Sequence, residues 1–266
     1  MAFTDIEHYK VNPRKVNIPD KGLGEFLCGF TEENKPFNWT NLLWLLLPLV
    51  GIFYLIPIIL WHWWVKSHPR RILLYKNGFI KQNIRGHGRV KKERVINFYE
   101  IKGILYAKTR QIQSIYGIRK YNGTAVEFSV LNSNDVSELI LKGMYRNKEE
   151  VDGKYNFIGY SCNAINNVWI KFGIDKFNNE ISSKGYGTFT TTSGEVRVGR
   201  DFIKVNDTIV TKGFKYSFDN GCLCLYPNAA EGAHFKKKMG PIVINVAGMY
   251  NKEVFLMAIS QLHGIR

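Results

Sequence analysis

The feature that most constrains this chain is an uncharged apolar run from Leu42 to Leu60, LLWLLLPLVGIFYLIPIIL, which continues to Val65 before the first charge at Lys66. An α-helix rises about 1.5 Å per residue, so about twenty apolar residues cross the roughly 30 Å hydrocarbon core of a bilayer. A buried core helix would be shorter and apolar on one face only. The run therefore predicts a membrane anchor over residues 41–65.

Tryptophans flank both ends of this run, where indole rings favour the headgroup layer. The predicted membrane-interface residues are Trp39, Trp44, Trp61, Trp63 and Trp64. Pro48 and Pro57 each remove a backbone donor and kink a helix. Two topologies therefore stay open, a single kinked span and a re-entrant hairpin that turns at residues 48–51. The single span is the preferred interpretation, because two full spans would need about forty apolar residues.

The charge distribution predicts the side on which the rest of the chain lies. The chain has 37 Lys and Arg against 22 Asp and Glu, a net charge of +15. Residues 1–40 form a polar segment with five basic and six acidic residues, whereas residues 66–94 hold ten basic residues and one acidic residue. Cytoplasmic flanks of spanning helices carry the excess of Lys and Arg. We expect a protein of the plasma or inner membrane with residues 66–266 in the cytoplasm.

A weak internal repeat divides the cytoplasmic part. The segment from Gly143 to Glu149 recurs in similar form from Gly248 to Glu253, each time after a β-prone run and before a helix-like segment. In the second copy, apolar residues at helical spacing predict a helix with Asn251 as its N-cap and Gly264 as its C-terminal stop. The repeat predicts two domains, residues 66–167 and 168–266, each mainly β and followed by one helix.

Short β-prone runs separated by turn signals fill both predicted domains. Asn77-Gly78, Asn122-Gly123 and Asp219-Asn220-Gly221 predict tight turns, because these residues tolerate a positive φ. Val168 to Phe172 is the expected first strand of the second domain.

Three segments resemble pleckstrin-homology-like (PH-like) domains of membrane-anchored proteins. Tyr75 to Ile80 is similar to their opening hairpin, Val95 to Ile101 to the strand that follows, and Trp169 to Gly173 to the opening of a second unit. The resemblance covers about residues 70–266. It implies a fold that is mainly β with α, in which an N-terminal transmembrane or re-entrant helical anchor precedes two PH-like β-barrel domains, each closed by a C-terminal helix.

No arrangement of residues predicts catalysis. The chain has no phosphate-binding loop, nucleophile elbow or HExxH motif, and its six histidines are scattered. Cys222 and Cys224 would lie on the same face of one strand, as small packing residues more than as metal ligands. We expect a non-enzymatic protein with no metal and no cofactor.

Basic residues supply the candidate binding site. Juxtamembrane clusters of Lys and Arg attract anionic lipid, although part of this charge is the topology signal itself. In the PH-like families a basic first hairpin loop binds phosphorylated headgroups, and the resemblance implies this role for residues 85–92. The expected lipid- or anion-binding residues are Lys66, Arg70, Arg71, Arg85, Arg89, Lys91, Lys92, Lys236, Lys237 and Lys238.

The sequence favours a membrane-anchored binding or scaffolding protein. Its PH-like domains would recognise anionic lipid headgroups or a protein partner at the surface of the bilayer, and it would associate with other copies of itself or with that partner. Nucleic acid is not an expected partner, because no aromatic and basic RNA-binding motif is present. The alternative is a membrane-tethered sensor-effector that binds a soluble small molecule in a β-barrel domain.

Overall fold

The computed structural model describes residues 16–32, 69–84, 89–145, 157–191, 194–226 and 241–265. These residues form fourteen β-strands, two α-helices and a short 3-10 helix over Phe98–Glu100. They divide into two compact units. Unit 1 comprises the described parts of residues 1–97 and 146–161, and unit 2 those of 98–145 and 162–266. The predicted domain boundaries stay a prediction.

Unit 1 contains one antiparallel sheet of four strands in sequential order. The strands are β1 (Phe26–Thr31), β2 (Arg70–Tyr75), β3 (Gly78–Ile84) and β4 (Val90–Asn97). Leu73, Tyr75 and Ile80 on one face pack with Leu23. Each fully buried side chain of this kind stabilises the fold by about 1.5–3 kcal/mol. The Tyr75 hydroxyl donates a hydrogen bond to the carbonyl oxygen of Pro19 (2.8 Å), which holds the N-terminal segment of the unit on this core.

The hairpin between β2 and β3 confirms the predicted turn, but its glycine acts differently from the expectation. The two loop residues are Lys76 and Asn77, and Gly78 is the first residue of β3, paired with Tyr75. A Cβ atom on Gly78 would clash with the backbone oxygen of Ile96 and lie 2.9 Å from a methyl group of Leu23. Gly78 is therefore required because neighbouring atoms approach its backbone closely, and not for a positive φ.

Unit 2 contains three further antiparallel sheets. Strands β5 (Ile101–Ile115), β6 (Ile118–Asn132) and β7 (Ser137–Tyr145) form the first sheet. Strands β8 (Tyr186–Thr191), β9 (Gly194–Gly199), β10 (Phe202–Val205) and β11 (Thr208–Thr211) form the second, and β12 (Lys215–Asp219), β13 (Cys222–Tyr226) and β14 (Ile242–Asn245) the third. Asn220 and Gly221 have φ values of 47° and 78° between β12 and β13, which confirms the predicted turn.

Helix α1 (Phe157–Lys184) shows that the predicted strand at Val168–Phe172 is wrong, because those residues are helical. Buried side chains recur along the helix at helical spacing, at Ile158, Cys162, Ile165, Trp169, Phe177 and Ile181. This helical pattern extends on both sides of the short β-prone run, so the run is part of the helix. A Cβ atom on Gly173 would lie 2.7 Å from a methyl group of Val254, so this glycine allows the helix to pack closely there.

Helix α2 (Lys252–His263) confirms the helix predicted from the second copy of the repeat. Val254, Phe255, Ala258 and Ile259 are buried on one face. Gly264 ends the helix with φ 67°, and its amide donates to the carbonyl oxygen of Ser260 (3.0 Å). This is the left-handed termination that glycine favours.

Asn251 stands at the N-terminal boundary of α2, but its side chain does not cap the helix. Its Oδ1 accepts hydrogen bonds from the amide of Ile104 (2.9 Å) and from the indole Nε1 of Trp169 (2.9 Å), and its Nδ2 donates to the carbonyl oxygen of Lys102 (3.0 Å). The Asn251 amide donates to the carbonyl oxygen of Ile104 (2.8 Å). One asparagine therefore joins β5, α1 and α2.

The prediction of two PH-like β-barrel domains, each closed by a C-terminal helix, is wrong. The described strands form four separate sheets, and each sheet ends in strands that pair with only one neighbour. Closing a barrel requires hydrogen bonds between the first and last strands of a sheet. No such pair exists in the described ranges, so the implied PH-like barrel fold does not form there.

The predicted anchor, residues 41–65, lies outside the described residues, as do Trp39, Trp44, Trp61, Trp63 and Trp64. Among the helices that the structure describes, none is both long enough and apolar enough to cross a bilayer. This finding contradicts the predictions of a transmembrane or re-entrant helical anchor and of a membrane-anchored location.

We expect Asn251→Ala to lower the free energy of unfolding by about 3 kcal/mol, because it leaves the Ile104 amide and the Trp169 indole without their acceptor. Alanine at φ 61° adds backbone strain of about 1 kcal/mol. Urea unfolding followed by circular dichroism measures the loss. Asn251→Asp keeps the Oδ1 acceptor but places a carboxylate oxygen against the Lys102 carbonyl oxygen, so it should also be destabilised. Asn251→Gly removes the same hydrogen bonds without the strain that alanine has at this φ. Equal stability of Asn251→Ala and the unmodified chain would contradict this role.

Candidate functional site

Of the predicted binding residues, the structure describes Arg70, Arg71, Arg89, Lys91 and Lys92, all in unit 1. Arg89 is exposed immediately before β4, and Lys91 and Lys92 are exposed on β4, an edge strand of the sheet. The predicted residues outside the described ranges are Lys66, Arg85, Lys236, Lys237 and Lys238. The predicted site residues that can be placed therefore come together on one sheet.

Arg70 is already bound to other residues of the unit. Its Nε and Nη2 atoms donate to the two carboxylate oxygens of Glu32, each at 2.8 Å. Its guanidinium also lies 5.6 Å from the ring centroid of Phe157. This two-point pairing holds the Arg70 side chain in one orientation.

Arg71 points to the opposite face and is buried. Its Nε donates to the hydroxyl oxygen of Thr31 at 3.3 Å, and burial lowers the pKa of its guanidinium. Arg71 is one of four polar residues that pair across the four strands, one from each strand. We call this set, Thr31, Arg71, Gln82 and Glu93, the polar row. Gln82 is 2 % exposed and its Nε2 donates to Glu93 (2.8 Å). Arg71 therefore belongs to the interior of the sheet and not to a surface site.

The face that carries Arg70 gathers four cations. Asn83 pairs with Arg70 on one side and with Lys92 on the other. Two residues further along the strands, Lys81 pairs with Arg94. Side chains two residues apart on a strand share a face. We call Arg70, Lys81, Lys92 and Arg94 the basic face. Lys92 and Arg94 are exposed, and Lys81 is half-buried.

Lys81 reports the electrostatics of this face. Burial lowers the pKa of its ammonium, and the positive charges of Arg70, Arg94 and Lys92 lower it further. A cation that is both desolvated and repelled by neighbouring cations costs free energy, which a bound anion would offset. The basic face is therefore the candidate anion-binding site in the described part of unit 1.

The sequence prediction missed two members of this site, Lys81 and Arg94. The signal that identifies them is the alternation of the strands. Residues 70, 81, 92 and 94 share one face once the β2–β3 turn fixes the register, whereas residue 71 falls on the other face. The count of basic residues over 66–94 contained all of them, but the binding residues were chosen from it without assigning faces, so Arg71 was included and Lys81 and Arg94 were left out.

Unit 2 contains an open apolar groove of about 600 Å³. Helix α2 supplies Leu256, Met257 and Ile259, and Ile174 and Phe218 complete much of the lining. Side chains of Ser260 and Gln261 add polar groups at the same groove. Its apolar walls and few polar groups are typical of small-molecule sites.

His263 connects α2 to β9 and is held neutral. Its Nε2 lies 2.9 Å from the carbonyl oxygen of Gly199, and its ring packs 5.6 Å from that of Phe214. Burial is the main cause that lowers the pKa of this imidazole. The Gly199 hydrogen bond opposes it, and Lys212 and Asp201 have smaller effects that lower and raise the pKa respectively. The Gly199 hydrogen bond gives this histidine a structural role in unit 2.

No protein-family model, curated protein or solved structure matches the chain.

We expect Lys81→Met to raise the free energy of unfolding at neutral pH, because it removes a half-buried ammonium from among three cations. The folded pKa of Lys81 lies below its ordinary value of 10.5, so the unfolded chain binds more protons between these two values. The destabilising contribution of Lys81 is therefore complete below the folded pKa, and it declines as the pH rises toward 10.5.

Urea unfolding at a series of pH values, with Lys171→Met on the exposed surface of α1 as the control, measures this difference. A destabilised Lys81→Met variant, or a difference that stays constant toward alkaline pH, would contradict the electrostatic interpretation.

Proposed function

We propose that this chain is a non-enzymatic binding module whose basic face recognises the phosphate groups of anionic lipid headgroups. The observation that carries the proposal is the gathering of four cations on one face of the unit 1 sheet, with the half-buried Lys81 among them. The proposal keeps the expected lipid partner and assigns it to a partly different set of residues.

The chemistry of the face suits phosphate. Arg94 would supply a planar donor fork and Lys92 a flexible ammonium, which are the two common phosphate-binding groups in proteins. Arg70 is held by Glu32 and contributes mainly its position and charge. Each Lys or Arg near an anionic membrane surface contributes about 1 kcal/mol of attraction. A few such residues give a reversible, peripheral association.

The form of the site favours a surface over a soluble metabolite. Lys92 and Arg94 are exposed on the same face of an edge strand. Headgroups at a bilayer surface can approach such an open face without entering a pocket. Because exposed charges are screened by salt, the association should weaken as ionic strength rises.

The test compares vesicles of phosphatidylcholine with vesicles that also contain phosphatidylserine, using the full chain. We expect Lys92→Glu/Arg94→Glu to weaken binding to the anionic vesicles by about 2 kcal/mol or more, about thirty-fold. Binding to phosphatidylcholine alone should not change, and this comparison controls for the apolar run at residues 42–60. Co-sedimentation measures both.

The matched control is Lys171→Glu/Lys215→Glu, which makes the same change in net charge at exposed positions of unit 2. If both double variants weaken anionic-vesicle binding equally, the effect comes from total charge and the basic face has no specific role. If neither variant weakens it, the proposal fails.

The apolar groove of unit 2 supports a second candidate function, recognition of an apolar small molecule. A volume of about 600 Å³ is within the range of ligand-binding sites. We expect Met257→Trp to fill part of the groove and to reduce the fluorescence gained by an environment-sensitive apolar dye such as anilinonaphthalene sulfonate. Unchanged dye fluorescence would exclude the groove as its site.

A further inference from the structure

The hairpin of β5 and β6 extends beyond the rest of its sheet. Each strand has fifteen residues, but the pairing of β7 with β6 ends where Tyr145 meets Thr124. Residues 110–123, here called the distal ribbon, form a two-stranded structure in the described part of the chain. At about 3.3 Å per residue, the six residues from Arg110 to Ile115 span about 20 Å.

Two backbone features define the distal ribbon. At its end Tyr116 and Gly117 have φ values of 51° and 81°, as a two-residue turn with positive φ at both positions requires. At its base Gly123 has φ 154° beside a shift in register between Gln111 and Ile112. The predicted turn at Asn122-Gly123 is therefore wrong. These residues lie within β6 at a β-bulge, where an extra residue and a glycine are common.

Large apolar side chains are exposed at the end of the ribbon. Tyr116 is fully exposed and Ile118 is 73 % exposed, whereas Ile112, which is 57 % exposed, pairs with Tyr121 nearer the base. Single exposed apolar residues are ordinary, but a group of them at the tip of a projecting element marks an interaction site.

Cations stand behind this apolar end, and no acidic residue is present from 101 to 126. Arg110, Arg119 and Lys120 are exposed on the distal ribbon. The Arg110 guanidinium lies 5.5 Å from the ring centroid of Tyr121, whose hydroxyl is 2.7 Å from the Thr124 hydroxyl. These contacts order the base of the ribbon and leave its end without cover from other described residues.

The order of these groups along the ribbon distinguishes between possible partners. A nucleic acid would meet cations along the whole contact and would gain little from an isoleucine at the tip. A bilayer presents anionic phosphates first and apolar chains beyond them, and a ribbon that enters tip first matches this order, because Tyr116 and Ile118 lead and Arg119 and Lys120 follow in the next two residue pairs. Tyrosine is favoured at that boundary, because its ring is apolar and its hydroxyl remains in water.

We propose that the end of the distal ribbon inserts into the headgroup layer of an anionic bilayer, with Tyr116 and Ile118 in the apolar boundary and Arg119 and Lys120 at the phosphates. This contact lies in unit 2 and uses none of the residues of the basic face. It shares the proposed function's partner, an anionic bilayer, but the residues that carry it are separate.

The test places an environment-sensitive nitrobenzoxadiazole label at Ser114→Cys, beside the tip, in the full chain. The matched control is the same label at Ser133→Cys, an exposed serine in the turn between β6 and β7, at the opposite end of β6. Cys28, Cys222 and Cys224 are replaced by serine in both, and the fully buried Cys162 is kept. The vesicles are phosphatidylcholine with and without phosphatidylserine.

We expect the label at residue 114 to shift to the blue and brighten with the anionic vesicles, while the label at residue 133 does not. No shift at residue 114, or equal shifts at both positions, would overturn the inference. A shift at residue 114 that persists in Lys92→Glu/Arg94→Glu, with vesicle binding unchanged, would support the ribbon and refute the basic face. If the label at residue 114 does not shift and Lys92→Glu/Arg94→Glu loses vesicle binding, the ribbon alone is refuted.

A variant pair separates insertion from folding. Tyr116→Asn places Asn-Gly in the turn, which favours its positive φ values, and Ile118→Thr keeps a β-branched residue in the strand. We expect the double variant to stay folded and to bind anionic vesicles about ten-fold or more weakly, because it removes apolar area at the tip. The control is Ile209→Thr, which makes the same substitution at an exposed isoleucine of another strand of unit 2, β11. Equal losses in both would contradict the inference.

Discussion

The interaction on which unit 2 most depends is the set of hydrogen bonds around the Asn251 carboxamide. Elements that are far apart in the sequence meet there. Asn251 forms hydrogen bonds with Ile104 and Lys102 of β5 and with Trp169 of α1. Close packing surrounds the set. A Cβ atom on Gly103 would lie 2.8 Å from Asn251 Oδ1, so the strand must carry glycine at this position. Because no other side chain of that size has both an acceptor and a donor and tolerates a left-handed backbone, asparagine suits this position.

In unit 1 the organising constraint is the alternation of side chains across four strands. The same two-residue period that buries Arg71 and Gln82 in the polar row exposes Lys92 and Arg94 on the other side. A slip of one residue would exchange the two sets. The buried pairing of Gln82 with Glu93 therefore fixes the register and, with it, the composition of the basic face.

The extent to which the sequence predicts the fold depends on how local each determinant is. The hairpin turn predicted at Asn77-Gly78, the turn at Asn220-Gly221 and the buried face of α2 each follow from a few neighbouring residues. These predictions were correct, except that the first turn lies one residue earlier, at Lys76-Asn77. The strand predicted at Val168–Phe172 is wrong because helical spacing of apolar residues extends over the 28 residues of α1. That longer pattern outweighs the strand propensity of five residues. The barrels failed because closure depends on pairing between distant strands, which local patterns do not encode. Of the site, the sequence indicated the basic segment but not its faces, and it gave Asn251 a capping role without indicating its distant partners.

The long β5–β6 hairpin and the Asn251 contact have opposite consequences for the order in which unit 2 folds. Paired strands that follow each other directly close short loops first, so the hairpin can form early and independently of later residues. The bond from Asn251 to Ile104 joins positions 147 residues apart, and loop closure over such a distance is costly until other contacts exist. The hairpin would therefore be present, with its apolar tip exposed, before α2 docks. During synthesis the chain would pass through a partly folded state in which this tip is already accessible.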